Sequence, residues 1–195
     1  MQNQVQLVSP SPLAANFSKI FTPAAVLLAV ILLAGAKSDI GIVATLILAL
    51  GVVAVPGFVY KKFPTLAKML GLPTAWRTAL VTALTLSSAL ICVLVDVPAP
   101  VPATVVGLVA GNAGLALVRR RLNASAHVSV LTFAALWATQ VFGPSFAWLL
   151  VLSPMMLFSR TALREHSWGE ALIGAVIGLV TFGCFAGANN WSLIT

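Results

Sequence analysis

Residues 41–60 read Gly-Ile-Val-Ala-Thr-Leu-Ile-Leu-Ala-Leu-Gly-Val-Val-Ala-Val-Pro-Gly-Phe-Val-Tyr, a stretch without a single charge. A helix of about 20 residues rises about 30 Å, the thickness of the hydrocarbon layer, so this stretch reads as a membrane crossing. Six further apolar runs occupy residues 20–36, 77–95, 103–118, 128–142, 145–158 and 169–188. The whole chain of 195 residues is 60% hydrophobic and only 8% charged, with a mean hydropathy of +1.05. Side chains so poor in polar groups cannot cover a water-soluble globule. The expected fold is therefore all-α: one integral-membrane domain over residues 1–195, a polytopic transmembrane bundle of about six to seven helices.

The connections between these runs alternate in character. Those after the first, third and fifth are short, with Gly143-Pro144 predicting a tight helical hairpin, since proline disfavours a helical conformation in the residue before it. Those after the second, fourth and sixth, residues 61–76, 119–126 and 159–168, are longer and basic, and they read as loops. With seven crossings, these loops and the N-terminal segment 1–19 share one face. Ten of the eleven Lys and Arg residues fall there and only Lys37 falls opposite. The positive-inside rule makes that face cytoplasmic. No basic residue precedes Lys19, so the first apolar run is expected to be a retained span rather than a signal peptide. The net charge of +7 then describes basic loops at a membrane surface or a site for an anion such as phosphate, with no nucleic-acid partner implied. Cys92 and Cys184 both lie in apolar runs, and two such residues give neither a disulfide framework nor a metal-ligand spacing.

The chain has two histidines, and each follows a basic cluster in one of the basic loops. Around the second the sequence is Ser159-Arg160-Thr161-Ala162-Leu163-Arg164-Glu165-His166-Ser167-Trp168-Gly169-Glu170. His166 and Glu170 are four apart, so on a helix they share a side. A carboxylate there accepts the Nδ1 proton of the imidazole and leaves Nε2 free as a nucleophile. Glu170 in a first turn also suits helix capping. Arg160 offers a planar fork of donors for phosphate oxygens, and Ser159 adds a hydroxyl.

This segment resembles the third motif of the type 2 phosphatidic acid phosphatase superfamily: Ser-Arg, five residues, His, three residues, Asp, with Glu170 standing for the Asp. Gly174 and Gly178 continue like that family's small-residue helix, and as a GxxxG pair they also suit helix packing. The family's second motif, Pro-Ser-Gly-His, is matched by Ala124-Ser125-Ala126-His127, which keeps Ser and His and lacks Pro and Gly. The first motif, Lys, six residues, Arg-Pro, is matched only by the spacing of Lys61 and Lys68, with Met69 in the Pro position. Lys61, Lys62 and Lys68 equally suit an ordinary basic surface loop, and Arg121 is an alternative source of the missing cation. The matching core runs from about residue 61 to 178.

The resemblance implies a membrane lipid phosphatase. In it His166 attacks phosphorus to form a phosphohistidine, and His127 protonates the leaving group. Arg160, Ser159 and Ser125, with Lys61, Lys68 or Arg121, would hold the phosphate. No metal and no cofactor are implied. The partner is a lipid phosphate in the bilayer: a phospholipid phosphate for a cytoplasmic site, a polyprenyl pyrophosphate carrier for an outward one. Three further possibilities stay open: a non-catalytic transporter-like bundle that binds anions, with Asn112 as its main mid-helix polar residue; a transferase passing the phosphate to an alcohol; and a homo-oligomer built on small-residue helix faces.

Overall fold

The computed structural model describes residues 11–191 apart from 72, 74, 75 and 120. All regular structure among them is helical: α1 (Pro12–Ile20), α2 (Pro23–Lys37), α3 (Ile42–Ala49), a π turn (Leu50–Ala54), α4 (Val55–Leu70), α5 (Trp76–Leu94), α6 (Val101–Val118), α7 (Ala126–Phe142), a 3-10 segment (Pro144–Val151), α8 (Leu152–Ala162) and α9 (Trp168–Trp191). Five helical runs are long and apolar enough to cross a membrane: Ile42–Leu70, Trp76–Leu94, Val101–Val118, Pro144–Ala162 and Trp168–Asn190. The pair α1 and α2, bent by 41°, makes a sixth if it counts as one span, and α7 is shorter than these. The outer surface agrees. On α5, Thr85, Ala89 and Cys92 face inward, while Leu86, Leu90, Ile91 and Leu94 are exposed. Such a face is stable against lipid and unstable against water.

Local chemistry sets the helix boundaries. Pro23 opens α2 behind Thr22, whose hydroxyl accepts from the Ala25 N–H at 3.3 Å. Pro56 lacks the N–H that would continue the ladder of the preceding turn, and the π turn directly before it accommodates the interruption. Gly143, at φ 100°, turns the chain between α7 and the 3-10 segment, giving the expected hairpin. Three expectations need correction. Residues 61–70, read as a loop, continue α4, because Phe63 and Ala67 are one helical turn apart and both buried. Ser159 and Arg160, read as loop, close α8. The N-terminal segment 1–19 holds α1, which packs on α8; its residues 1–10 lie outside the described residues.

The core sits where α9 lies along both α6 and α7. Trp137 of α7 is fully buried, donates its indole N–H to Thr104 Oγ1 at 2.9 Å, and packs near the rings of Phe142 and Phe185. Thr104 passes its own proton to the Pro100 carbonyl at 2.7 Å. The closest approaches are made by glycines. A Cβ on Gly174 would meet the Ser125 carbonyl oxygen at 2.5 Å, and one on Gly178 would meet the Ser129 carbonyl oxygen at 2.5 Å. Gly107 and Gly111 of α6 are similarly tight against Phe185 and Thr181 of α9. At the far end of the bundle, Ser38 bonds the carbonyls of Pro98 and Ala99 and so joins two of the short connections.

Gly174→Ala and Gly178→Ala should each destabilise the folded chain by about 1–3 kcal/mol, since the obstacle is backbone and has no rotamer to change. Gly187→Ala, where a Cβ meets open space, should be neutral or stabilising by up to about 1 kcal/mol through helix propensity. Unfolding in detergent measures all three. Equal losses at 174 and 187 would show that the close α7–α9 contact is not the cause.

Candidate active site

The two histidine segments meet at one end of the bundle, and Glu170 is where they are tied. Ser167 and Glu170 form a reciprocal cap on α9. The Glu170 carboxylate accepts from the Ser167 N–H at 2.8 Å and from its hydroxyl at 3.1 Å, while the Glu170 N–H donates to Ser167 Oγ at 3.3 Å. The Asn123 N–H lies near enough to the same carboxylate to help lower its pKa, and the Glu170 carbonyl accepts the Ser125 N–H at 3.2 Å. The start of α9 therefore holds the 122–125 loop, and with it His127, by a main-chain bond.

The turn after α8 returns His166 toward Arg160. Arg164 takes the left-handed conformation at φ 56°, and the N–H groups of Glu165 and His166 reach back to the Arg160 carbonyl at 3.2 and 3.4 Å. His166 Nδ1 then lies 3.9 Å from Glu170 Oε2, outside hydrogen-bond range. The expected bond between them is absent: the carboxylate is spent on the cap, and Nδ1 is buried with no partner. His127 stands ahead of the apolar run that begins at Val128, outside the membrane-crossing part of α7. Burial lowers its pKa to about 4, helped by the charges of Arg160 and His166, so all three groups share one electrostatic environment.

Ser125 is the N-cap residue of α7, yet its hydroxyl makes no cap bond and is buried with no partner. An N-cap serine ordinarily satisfies a first-turn N–H; this one does not. Arg160 pairs with Glu165 and donates to Ser18 of α1 at 2.8 Å, and its Nε has no partner. Ser159 donates to the Ala14 carbonyl at 2.7 Å. Helix α1 thus covers the Ser159-Arg160 pair, a role that its sequence, amphipathic and without a motif, did not announce. Lys61, Lys68 and Arg121 are exposed, and among the described residues none is bonded or paired to either histidine. No group of three or more His, Cys, Asp or Glu side chains is gathered among the described residues.

Two cavities lie inward of this site. One, of about 270 Å³ and mostly apolar, runs between α2, α7 and the 3-10 segment, with Leu131 one turn inward of His127 on its wall. The other, of about 40 Å³, is lined in part by Thr85, Asn112, Ser129 and Thr181, and Asn112 donates to Thr85 at 3.1 Å. Compared with protein-family models, curated proteins and solved structures, the chain finds no match in any of the three.

Two outcomes are expected. Glu170→Ala should lower the melting temperature, whereas Glu170→Gln, which can rebuild the reciprocal cap, should keep most of it; equal losses would show that the charge matters more than the cap. For His127, the unfolded chain gains its proton near pH 6.5 and the folded chain near pH 4. The unfolded state binds more protons in between, so this contribution is present in full above about 6.5 and is lost as pH falls toward 4. His127→Gln should flatten that part of the unfolding profile, and an unchanged profile would mean that the ring titrates normally.

Proposed function

We propose that this chain is an integral-membrane lipid phosphatase of the type 2 phosphatidic acid phosphatase kind, working through a phosphohistidine. One observation carries the reading. His127 and His166 come from separate segments that the Ser125–Glu170 main-chain bond ties together, beside two buried polar atoms, Ser125 Oγ and His166 Nδ1, that have no partner. Buried polar groups of native proteins are nearly always satisfied, so a site with several orphans suits a polar guest. The mostly apolar cavity inward of His127 supports a guest with a hydrocarbon chain.

In this mechanism the His166 Nε2 lone pair forms a bond to phosphorus as the bond from phosphorus to the leaving oxygen breaks. His127, neutral in the empty protein, is made more basic by the arriving phosphate charge, takes up a proton and donates it to that oxygen. Water then attacks the phosphohistidine, His127 accepts its proton, and inorganic phosphate leaves with Nε2 restored. Arg160 exchanges Ser18 and Glu165 for equatorial phosphate oxygens, which requires α1 to shift. A movement of less than about 1 Å brings Nδ1 of His166 within hydrogen-bond reach of Glu170. Ser125, whose buried hydroxyl has no partner two residues before His127, joins the phosphate. Ser159 joins only on leaving Ala14. Arg121 adds charge at the rim; Lys61 and Lys68, carried on α4 with Tyr60, belong to the other cationic cluster on that face and contribute only general positive charge. The cations supply the charge that Mg²⁺ supplies in other phosphoryl transfers.

Counting α7 as a crossing and the bent pair as one gives seven spans and so puts the N-terminus on the same side as the site; the excess of cations on that side favours the cytoplasm. That side favours a phospholipid phosphate made there; an outward site would favour a polyprenyl pyrophosphate carrier. The transporter reading draws less support, because Asn112 is bonded to Thr85 beside a space for only a few waters.

Purified protein should release inorganic phosphate from phosphatidic acid, phosphatidylglycerol phosphate or a polyprenyl phosphate in the presence of EDTA. His166→Ala should abolish release, and His127→Ala should slow it by about 10²–10⁴-fold. Full turnover by the His166 variant would sink the mechanism. For sidedness, in a Cys184→Ser background, Lys37→Cys should react with an impermeant maleimide on intact cells, and Asn123→Cys only after permeabilisation. The reverse pattern would turn the site outward.

A further inference from the structure

A second cationic cluster lies outside this site, at the junction of α4, α5 and α6. Its origin is Pro64, which has no N–H to give the Tyr60 carbonyl four residues earlier. Arg77 fills the gap: its Nε donates to the Tyr60 carbonyl at 2.7 Å, and its guanidinium lies 3.4 Å from the centre of the Tyr60 ring. Arg119 donates to the Tyr60 hydroxyl, with its guanidinium 5.6 Å from the same ring. The Nε of Arg119 is buried and has no partner. One tyrosine therefore holds two guanidinium groups.

No acid offsets them. Among the described residues the carboxylates are accounted for elsewhere. Asp39 and Asp96 lie in the short connections at the far end, Glu165 pairs with Arg160, and Glu170 caps α9. Exposed Lys61, Lys62 and Lys68 on the same helix as Tyr60 add further positive charge. Like charges held close together in a partly desolvated place repel, and a bound anion relieves that cost. Two planar forks match the oxygens of a phosphate, as they match a carboxylate, and of the two a bilayer surface supplies phosphate in every phospholipid headgroup. The place decides the source. Arg77 is the second residue of α5 and Arg119 follows the last residue of α6, with exposed Trp76 alongside. Helix ends with Trp, Tyr and Arg mark the headgroup layer of a bilayer.

We infer that Arg77 and Arg119, both braced on Tyr60, seat the phosphate of an anionic bilayer lipid at the α4–α5–α6 junction. The seat shares no residue with the histidine pair, so it stands or falls apart from the phosphatase reading. A phosphodiester headgroup, which a monoester phosphatase leaves intact, fits the role of a resident lipid that locks three helix ends together.

Tyr60 is the one tyrosine of the sequence, so biosynthetic 3-fluorotyrosine puts a single fluorine in the whole protein, at this seat. In a neutral maltoside, titration with dihexanoyl phosphatidylglycerol should move the ¹⁹F resonance saturably. Dihexanoyl phosphatidylcholine and inorganic phosphate should move it far less. Arg119→Gln should weaken the phosphatidylglycerol response by at least about tenfold, the loss of one good contact. Arg119→Lys, which keeps the charge but not the fork, should fall in between and guards against a variant that does not fold. Three results would overturn the inference: a phosphatidylcholine response equal to that of phosphatidylglycerol, saturation by inorganic phosphate alone, or an Arg119→Gln titration identical to that of the parent.

Discussion

The close approach of α9 to α7 is the contact on which the rest of the molecule depends. Between helices in lipid there is little hydrophobic drive, because a lipid tail is as apolar as a leucine, so association rests on backbone proximity and packing. Gly174 and Gly178 supply that proximity. With hydrogen in place of a methyl group, α9 settles against the carbonyls of Ser125 and Ser129. Gly107 and Gly111 do the same for α6 against α9. The buried Trp137 and its bond to Thr104 fill the wedge between the three helices.

The histidine site follows from this contact. Ser125 is both the residue that Gly174 admits and the start of the helix carrying His127. Glu170, one turn before Gly174, binds the main chain of the same loop. Moving α9 outward by the width of a methyl group would break that bond and separate His127 from His166. The few acids are spent with similar effect. Glu170 builds the cap that aligns the two segments, and Glu165 holds Arg160, leaving the cluster around Tyr60 without a carboxylate. A chain with four acids and eleven cations has anion-seeking places wherever its cations gather.

Much of this was legible in the residues, and the rest was not for identifiable reasons. Apolar runs of membrane length marked the spans, and Gly143-Pro144 marked the hairpin, because these are properties of consecutive residues. Ser167 and Glu170, three apart, form a capping pattern that competes for the very carboxylate assigned to His166, and spacing alone does not say which partner wins. Residues 61–70 looked like a basic loop because three lysines and a proline dominate the stretch. Phe63 and Ala67 hold it helical by burial against α5, which the local pattern shows only weakly. The cover that α1 places on Ser159 and Arg160 joins residues about 140 positions apart, as its two bonds record. No local reading reaches that far.

The sequence by itself determined that the chain is helical, that its helices are long and apolar enough for a bilayer, and that its histidines and most of its cations gather in segments at one end. These follow from hydropathy and from counting charges along the chain. Only the tertiary structure decided which polar atoms are satisfied and which are left over. It gave Glu170 to the cap instead of His166, left Ser125 Oγ and His166 Nδ1 without partners, and drew Arg77 and Arg119 onto Tyr60. The physical reason is that a hydrogen bond extends about 3 Å. Its partner is chosen by which helices touch, and here the glycines decide that.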